Sequence, residues 1–229
     1  MTPLFDKTRD FNDDVYRNIV SLRESEDLFD DLTGGDPSAS AVAVKAESQV
    51  KSHIPPNLLD RGFHYTTSIA YPFENEPYLK TRYGDGSFGV WYGSLDIDTT
   101  IHETVYHMVR EESGIEGNQR SVYRERAVYL VHCKALLIDL SEKETEYPAL
   151  VGQDYGFTRQ IGERLHTEGH PGLLAPSARN TGGINLVAMS RKILSDPRLN
   201  CYLAYNCDLV RRTVVVERTP GEVIAKLRF

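Results

Sequence analysis

Three stretches of this chain carry residue types at spacings that chemistry uses. Gly84-Asp85-Gly86-Ser87-Phe88-Gly89 fits GxGxxG, a loop whose amides can approach a pyrophosphate. That use requires a strand before the loop and a helix opening at its end. Here Val90–Leu95 predicts a strand after it, so the stretch reads as a tight turn. His102-Glu103 with His107 resembles a zinc-protease helix. Its histidines are five residues apart rather than the required four, which turns one imidazole away from the other, so no metal is expected. Cys133 lies in an apolar run and reads as a small buried hydrophobe, as do Cys201 and Cys207. Glu103 ends Thr100-Ile101-His102-Glu103, which fits a capping box, and it lies opposite the apolar stripe of its helix, where a solvated carboxylate is ordinary. Taken singly, Arg82 reads as a surface cation, Tyr92 as a core aromatic and Ser177 as a turn serine.

The elements that must position these residues follow from periodicity. Thr99–Glu112 predicts a helix, with Ile101, Val105, Met108 and Val109 on one face. Ala127–Leu140 predicts a strong strand, and Asp154–His166 a helix broken by Gly169 and Pro171. Gly172–Ala175 and Ile184–Met189 predict short strands around a polar turn, with Val210–Val216 and Glu222–Phe229 closing the sheet. Helices and strands interleave without strict alternation, which points to an α+β fold with a mixed or antiparallel sheet and flanking helices. Residues 1–60 are acidic and mostly helix-compatible, with a helix over Ser38–Val50 ended by Pro55-Pro56. They are expected to form an N-terminal helical segment packed on a main domain over 61–229.

The 229 residues suffice for one domain with a sizeable core. A formal charge of -7 argues against a nucleic-acid groove binder, and no polybasic run suggests a membrane surface. Three cysteines without CxxC spacing argue against a disulfide framework. The start has no basic region followed by an apolar run, and a cytoplasmic location is expected.

Together the scattered residues gain meaning. Thr81-Arg82-Tyr83-Gly84-Asp85-Gly86-Ser87-Phe88-Gly89-Val90-Trp91-Tyr92 runs into Asp98-Thr99-Thr100-Ile101-His102-Glu103, and far downstream comes Pro176-Ser177-Ala178-Arg179-Asn180-Thr181-Gly182-Gly183. This combination resembles the RES domain family, named for an Arg, a Glu and a Ser, here Arg82, Glu103 and Ser177, with Tyr92 as the usual aromatic partner. The resemblance covers roughly Thr66 to Ser190. It extends more weakly to Ile19–Asp31, which places Arg23 at a family arginine. Thr100 stands where Ala is usual, and Asn180-Thr181 where His-Pro is common.

The resemblance implies an ADP-ribosyltransferase-like fold. It also implies a toxin paired with an antitoxin that covers the site, and NAD as substrate with no metal. The implied reaction breaks the nicotinamide–ribose bond, with water or phosphate as acceptor. Transfer of ADP-ribose to a specific protein, or a non-catalytic partner-binding role, are the alternatives, and a homo-oligomer is compatible with any of them. In NAD cleavage Arg82 would grip the diphosphate through its planar fork. Tyr92 would pack on nicotinamide or ribose, and Glu103 would offset positive charge on the ribose. Ser177 would hydrogen-bond ribose or carboxamide, and Arg179 and Arg23 would add phosphate contacts.

Overall fold

The computed structural model describes residues 3–20, 66–74, 76–115 and 121–229. Arg23 and the helix expected over Ser38–Val50 lie outside the described residues. The fold is α+β, with an eight-stranded, mostly antiparallel sheet. Its strands are β1 Thr8–Val20, β2 Trp91–Ser94, β3 Ser121–Asp139, β4 Gly172–Pro176, β5 Ile184–Ala188, β6 Leu194–Asp208, β7 Thr213–Glu217 and β8 Val223–Arg228. Two longer helices flank them, α1 Ile97–Ser113 and α2 Gly156–Thr167. Among the described residues, no helix is long and apolar enough to cross a membrane.

The long β3 organises the sheet. One edge pairs with β1 from Arg126 to Ile138. The other pairs with β6 from Ser121 to Cys133, then runs parallel to β4 at Ile138 and Asp139. Because β1 also meets β2 at Tyr16 and Ser94, strands β1, β2, β5, β4 and β3 close into a circuit. Closure removes exposed edges from those strands. The circuit encloses an apolar cluster of Phe11, Val15, Trp91, Val131, Leu174 and Leu186. Trp91 is fully buried, and its indole N–H donates to the Ser68 carbonyl at 2.6 Å.

β1 corrects one expectation: residues 8–20 form a strand and not part of a helical segment. Phe11 and Val15 are buried, with Ile19 packed beside them, four residues apart. A spacing of four suits one helical face, but as an even number it also keeps side chains on one face of a strand. The thirteen-residue ladder with β3 decides between them.

Helix α1 packs Ile101, Val105 and Met108 onto Val128, Leu203, Tyr205, Val214 and Val216 of β3, β6 and β7. With Ala127 and Tyr129 packed on the opposite face against the cluster of Phe11, Val15 and Trp91, both faces of β3 are covered there and Ala127, Val128 and Tyr129 are all buried, whereas Leu136 further along β3 is 60% exposed. The α1 N-cap is Asp96, whose carboxylate accepts from the Thr99 amide at 2.7 Å and the Thr99 hydroxyl at 2.8 Å. The capping-box reading of Glu103 is therefore corrected, since the helix opens earlier and is capped by another residue.

Helix α2 and the 83–90 turn share a second core with β4 and β5, including Tyr83, Phe88, Val90, Leu150, Ile161, Leu173 and Val187. Gly162 lets the two surfaces touch: a Cβ there would stand 1.9 Å from the Tyr83 carbonyl oxygen. Gly→Ala inside a helix ordinarily gains about 1 kcal/mol. Here overpacking of about 1–3 kcal/mol opposes it. Gly162→Ala is expected to lower stability in urea unfolding, and a midpoint at or above wild type would show that the turn can yield.

Candidate active site

Arg82 lies on the 81–84 turn, Tyr92 on β2, Glu103 on α1, and Ser177 and Arg179 on the turn after β4; Ser177 is hydrogen-bonded to Glu103, and Arg82 and Arg179 both reach the 150–155 loop. The first of these turns is closed by the Thr81 amide donating to the Gly84 carbonyl at 2.8 Å and the Gly84 amide to the Thr81 hydroxyl at 3.0 Å. A strand follows the glycines, as their turn reading requires.

Tyr92 anchors this turn. Its hydroxyl accepts the Tyr83 amide at 2.9 Å and lies 2.8 Å from the Thr81 hydroxyl. Burial pushes the Tyr92 hydroxyl up to about 12, so it stays a neutral phenol. That hydroxyl is thus committed to holding the arginine's turn. From β1, Arg17 donates to the Tyr92 carbonyl at 2.7 Å, and burial lowers its guanidinium to about 10. Sequence reasoning missed Arg17, because nothing local marks it.

Arg82 donates Nη1 to the carbonyls of Leu150 and Gly152, at 3.1 and 2.9 Å, and its guanidinium lies 4.4 Å from the Tyr155 ring centroid. Its remaining donors, Nε and Nη2, make no hydrogen bond to the described residues. Arg82 therefore pins the 150–155 loop while keeping part of its fork open. Arg179 meets the same loop from the other side. It stacks on Tyr106 of α1 at 3.4 Å, and both it and the Tyr106 hydroxyl reach Gln153 Oε1, at 3.4 and 3.1 Å.

The best-defined part of the site surrounds Glu103. Its Oε1 accepts from the Ser177 hydroxyl at 2.7 Å and the Asn185 amide at 2.8 Å. No described residue donates to Oε2. Ser177, 6% exposed, receives the Arg179 and Asn180 amides on its oxygen at 3.1 and 3.0 Å. Those two donors occupy the lone pairs of Ser177 and leave its one proton for Glu103. The hydroxyl expected to meet ribose or carboxamide is thus used to hold the carboxylate.

The turn that carries Ser177 sits close to α1. Asn180 Nδ2 donates to the Thr99 hydroxyl at 2.9 Å, and a Cβ on Gly183 would stand 2.3 Å from that same oxygen. Glycine at 183 is what lets the turn lie against the helix that bears Glu103. The solvated-face reading of Glu103 is corrected for the same reason, because Glu103 is half-buried and its Oε1 is held by the turn and by β5.

Cys133 is fully buried, and burial pushes its thiol up to about 12, in keeping with a packing role. A separate concavity of about 770 Å³ on β6–β8 is lined by Asn206, Thr213, Lys226 and Arg228 among others, and none of the expected site residues that are described lines it.

A family-wide profile of the RES domain matches residues 55–208, spanning the 81–84 turn, β2, α1 and the Ser177 turn. The chain belongs to the RES domain family. This domain is associated with toxin–antitoxin systems and with chemistry on NAD. The mixed, mostly antiparallel sheet with few helices is consistent with an ADP-ribosyltransferase-like fold. No curated protein matches the chain.

Proposed function

We propose that this RES protein cleaves the nicotinamide–ribose bond of NAD, with water or phosphate as acceptor, as the toxin of a toxin–antitoxin pair. One observation carries the reading: a carboxylate fixed through one oxygen by two donors, with no described residue donating to its other oxygen, together with an arginine whose Nε and Nη2 make no hydrogen bond to the described residues. A site that breaks this bond needs that combination, an anion beside the ribose and a cation for the diphosphate.

The chemistry suits the residues. The C1′–N bond breaks with its electron pair passing to the nicotinamide nitrogen, so the cationic ring leaves neutral and needs no general acid. Positive charge develops on the ribose, and Glu103 Oε2 stabilises it electrostatically. The acceptor oxygen then bonds to C1′, and with water as acceptor its proton is released. Ser177 keeps Glu103 in place throughout. NAD is the substrate and requires no metal partner in this scheme. The cognate antitoxin is expected to cover the site, and the cytoplasm, where NAD is available, is the expected location.

The test is to incubate the purified protein with NAD, with and without phosphate, and to follow nicotinamide and the ribose product by chromatography. Nicotinamide release supports the reading, and the co-product identifies the acceptor. Absence of release under both conditions overturns it.

A further inference from the structure

Asn185 is not among the residues that give the family its name, yet it touches the centre of the site. It lies on β5 opposite Ser94 of β2 and Ala175 of β4. Its Nδ2 donates to Glu103 Oε1 at 2.8 Å, while its Oδ1 accepts from the Ser94 hydroxyl at 2.7 Å. The amide has only one useful orientation here. An ionised carboxylate accepts only, so the NH2 group must face Glu103 and the carbonyl must face Ser94. Ser94 is 3% exposed, which leaves its hydroxyl little water to turn to.

Resting on the NAD-cleavage reading above, we infer that Asn185, locked by Ser94, is a positioning residue that keeps the Glu103 carboxylate aimed. Two donors on one oxygen fix the plane of the group, so that Oε2 and not Oε1 faces the ribose. Ser177 alone, on a turn, leaves the carboxylate free to swing about that one bond. Asn185 supplies the second point from a strand that is hydrogen-bonded on both sides.

The experiment uses the full chain. Glutamate carboxyls are labelled with carbon-13, the Glu103 signal is assigned with Glu103→Gln, and it is compared at one fixed pH in wild type and Asn185→Leu. Leucine fills the space of the amide without offering a donor, so the Glu103 signal is expected to move or broaden, and kcat for NAD to fall about 10-fold with KM unchanged. Ser94→Ala, which leaves both the carboxylate and Asn185 in place, is likewise expected to lower kcat about 10-fold with KM for NAD unchanged. It carries the test if Asn185→Leu does not fold.

A Glu103 signal that stays where it was in folded Asn185→Leu overturns the inference. So does a Ser94→Ala enzyme with wild-type kcat. The two ideas fail separately. If wild type releases no nicotinamide while the Glu103 signal still changes in Asn185→Leu, the NAD reading fails and Asn185 still positions Glu103. If wild type cleaves NAD and the signal does not change, only the role of Asn185 falls.

Discussion

Glu103→Gln is expected to lower kcat for nicotinamide release by about 10²- to 10³-fold while leaving the protein folded. Glutamine keeps an oxygen where Ser177 and Asn185 donate, so both hydrogen bonds at 2.7 and 2.8 Å survive. Only the negative charge is lost, together with its ability to offset charge developing on the ribose. A fall of that size corresponds to about 2.7–4 kcal/mol of transition-state stabilisation. Glu103→Ala removes the acceptor as well. It leaves the Ser177 and Asn185 donors unpaired and should cost stability in addition, about 1–3 kcal/mol for each donor shut away from water. The measurement is steady-state kinetics beside urea unfolding for both variants. A Glu103→Gln enzyme within threefold of wild-type kcat would remove Glu103 from the reaction.

Arg82→Ala should produce the other large effect, a loss of about 100-fold in kcat/KM for NAD. The estimate takes the lost charge-assisted hydrogen bonds to the diphosphate at about 1.5–3 kcal/mol each. The same side chain holds the Leu150 and Gly152 carbonyls and lies against Tyr155, so the 150–155 loop should loosen as well. Limited proteolysis within that loop is expected to quicken in the variant. Arg82→Lys keeps the charge but cannot serve two carbonyls and a phosphate from one planar fork, and it should recover little of the loss. Wild-type kcat/KM in Arg82→Ala would mean that the arginine serves only the loop.

Much of the sheet and helix pattern was legible locally. Helix α1 announced itself through Ile101, Val105 and Met108, and β4 and β5 through short apolar runs around a polar turn. Two long strands were not. In β1 the four-residue spacing of Phe11, Val15 and Ile19 satisfies both periods, and only the ladder with β3 tells them apart. β6 contains Asp196 at a positive φ of 46°, and Pro197 follows. Its register against β3 shifts twice, so no clean alternation survives in its sequence.

The residues that could do chemistry, and the family they signal, were readable from the chain alone, because Arg82, Tyr92 and Glu103 fall within one turn–strand–helix unit whose local pattern is self-contained. What each side chain touches was decided only by tertiary structure. Ser177 comes from 74 residues beyond Glu103 and Asn185 from 82, and nothing at either end of those separations records the meeting. Hydrogen-bond partners depend on which strands lie side by side and how closely a turn can approach a helix. Those are properties of the closed sheet and of glycines such as Gly183, and they come into being only when the distant parts of the chain pack together.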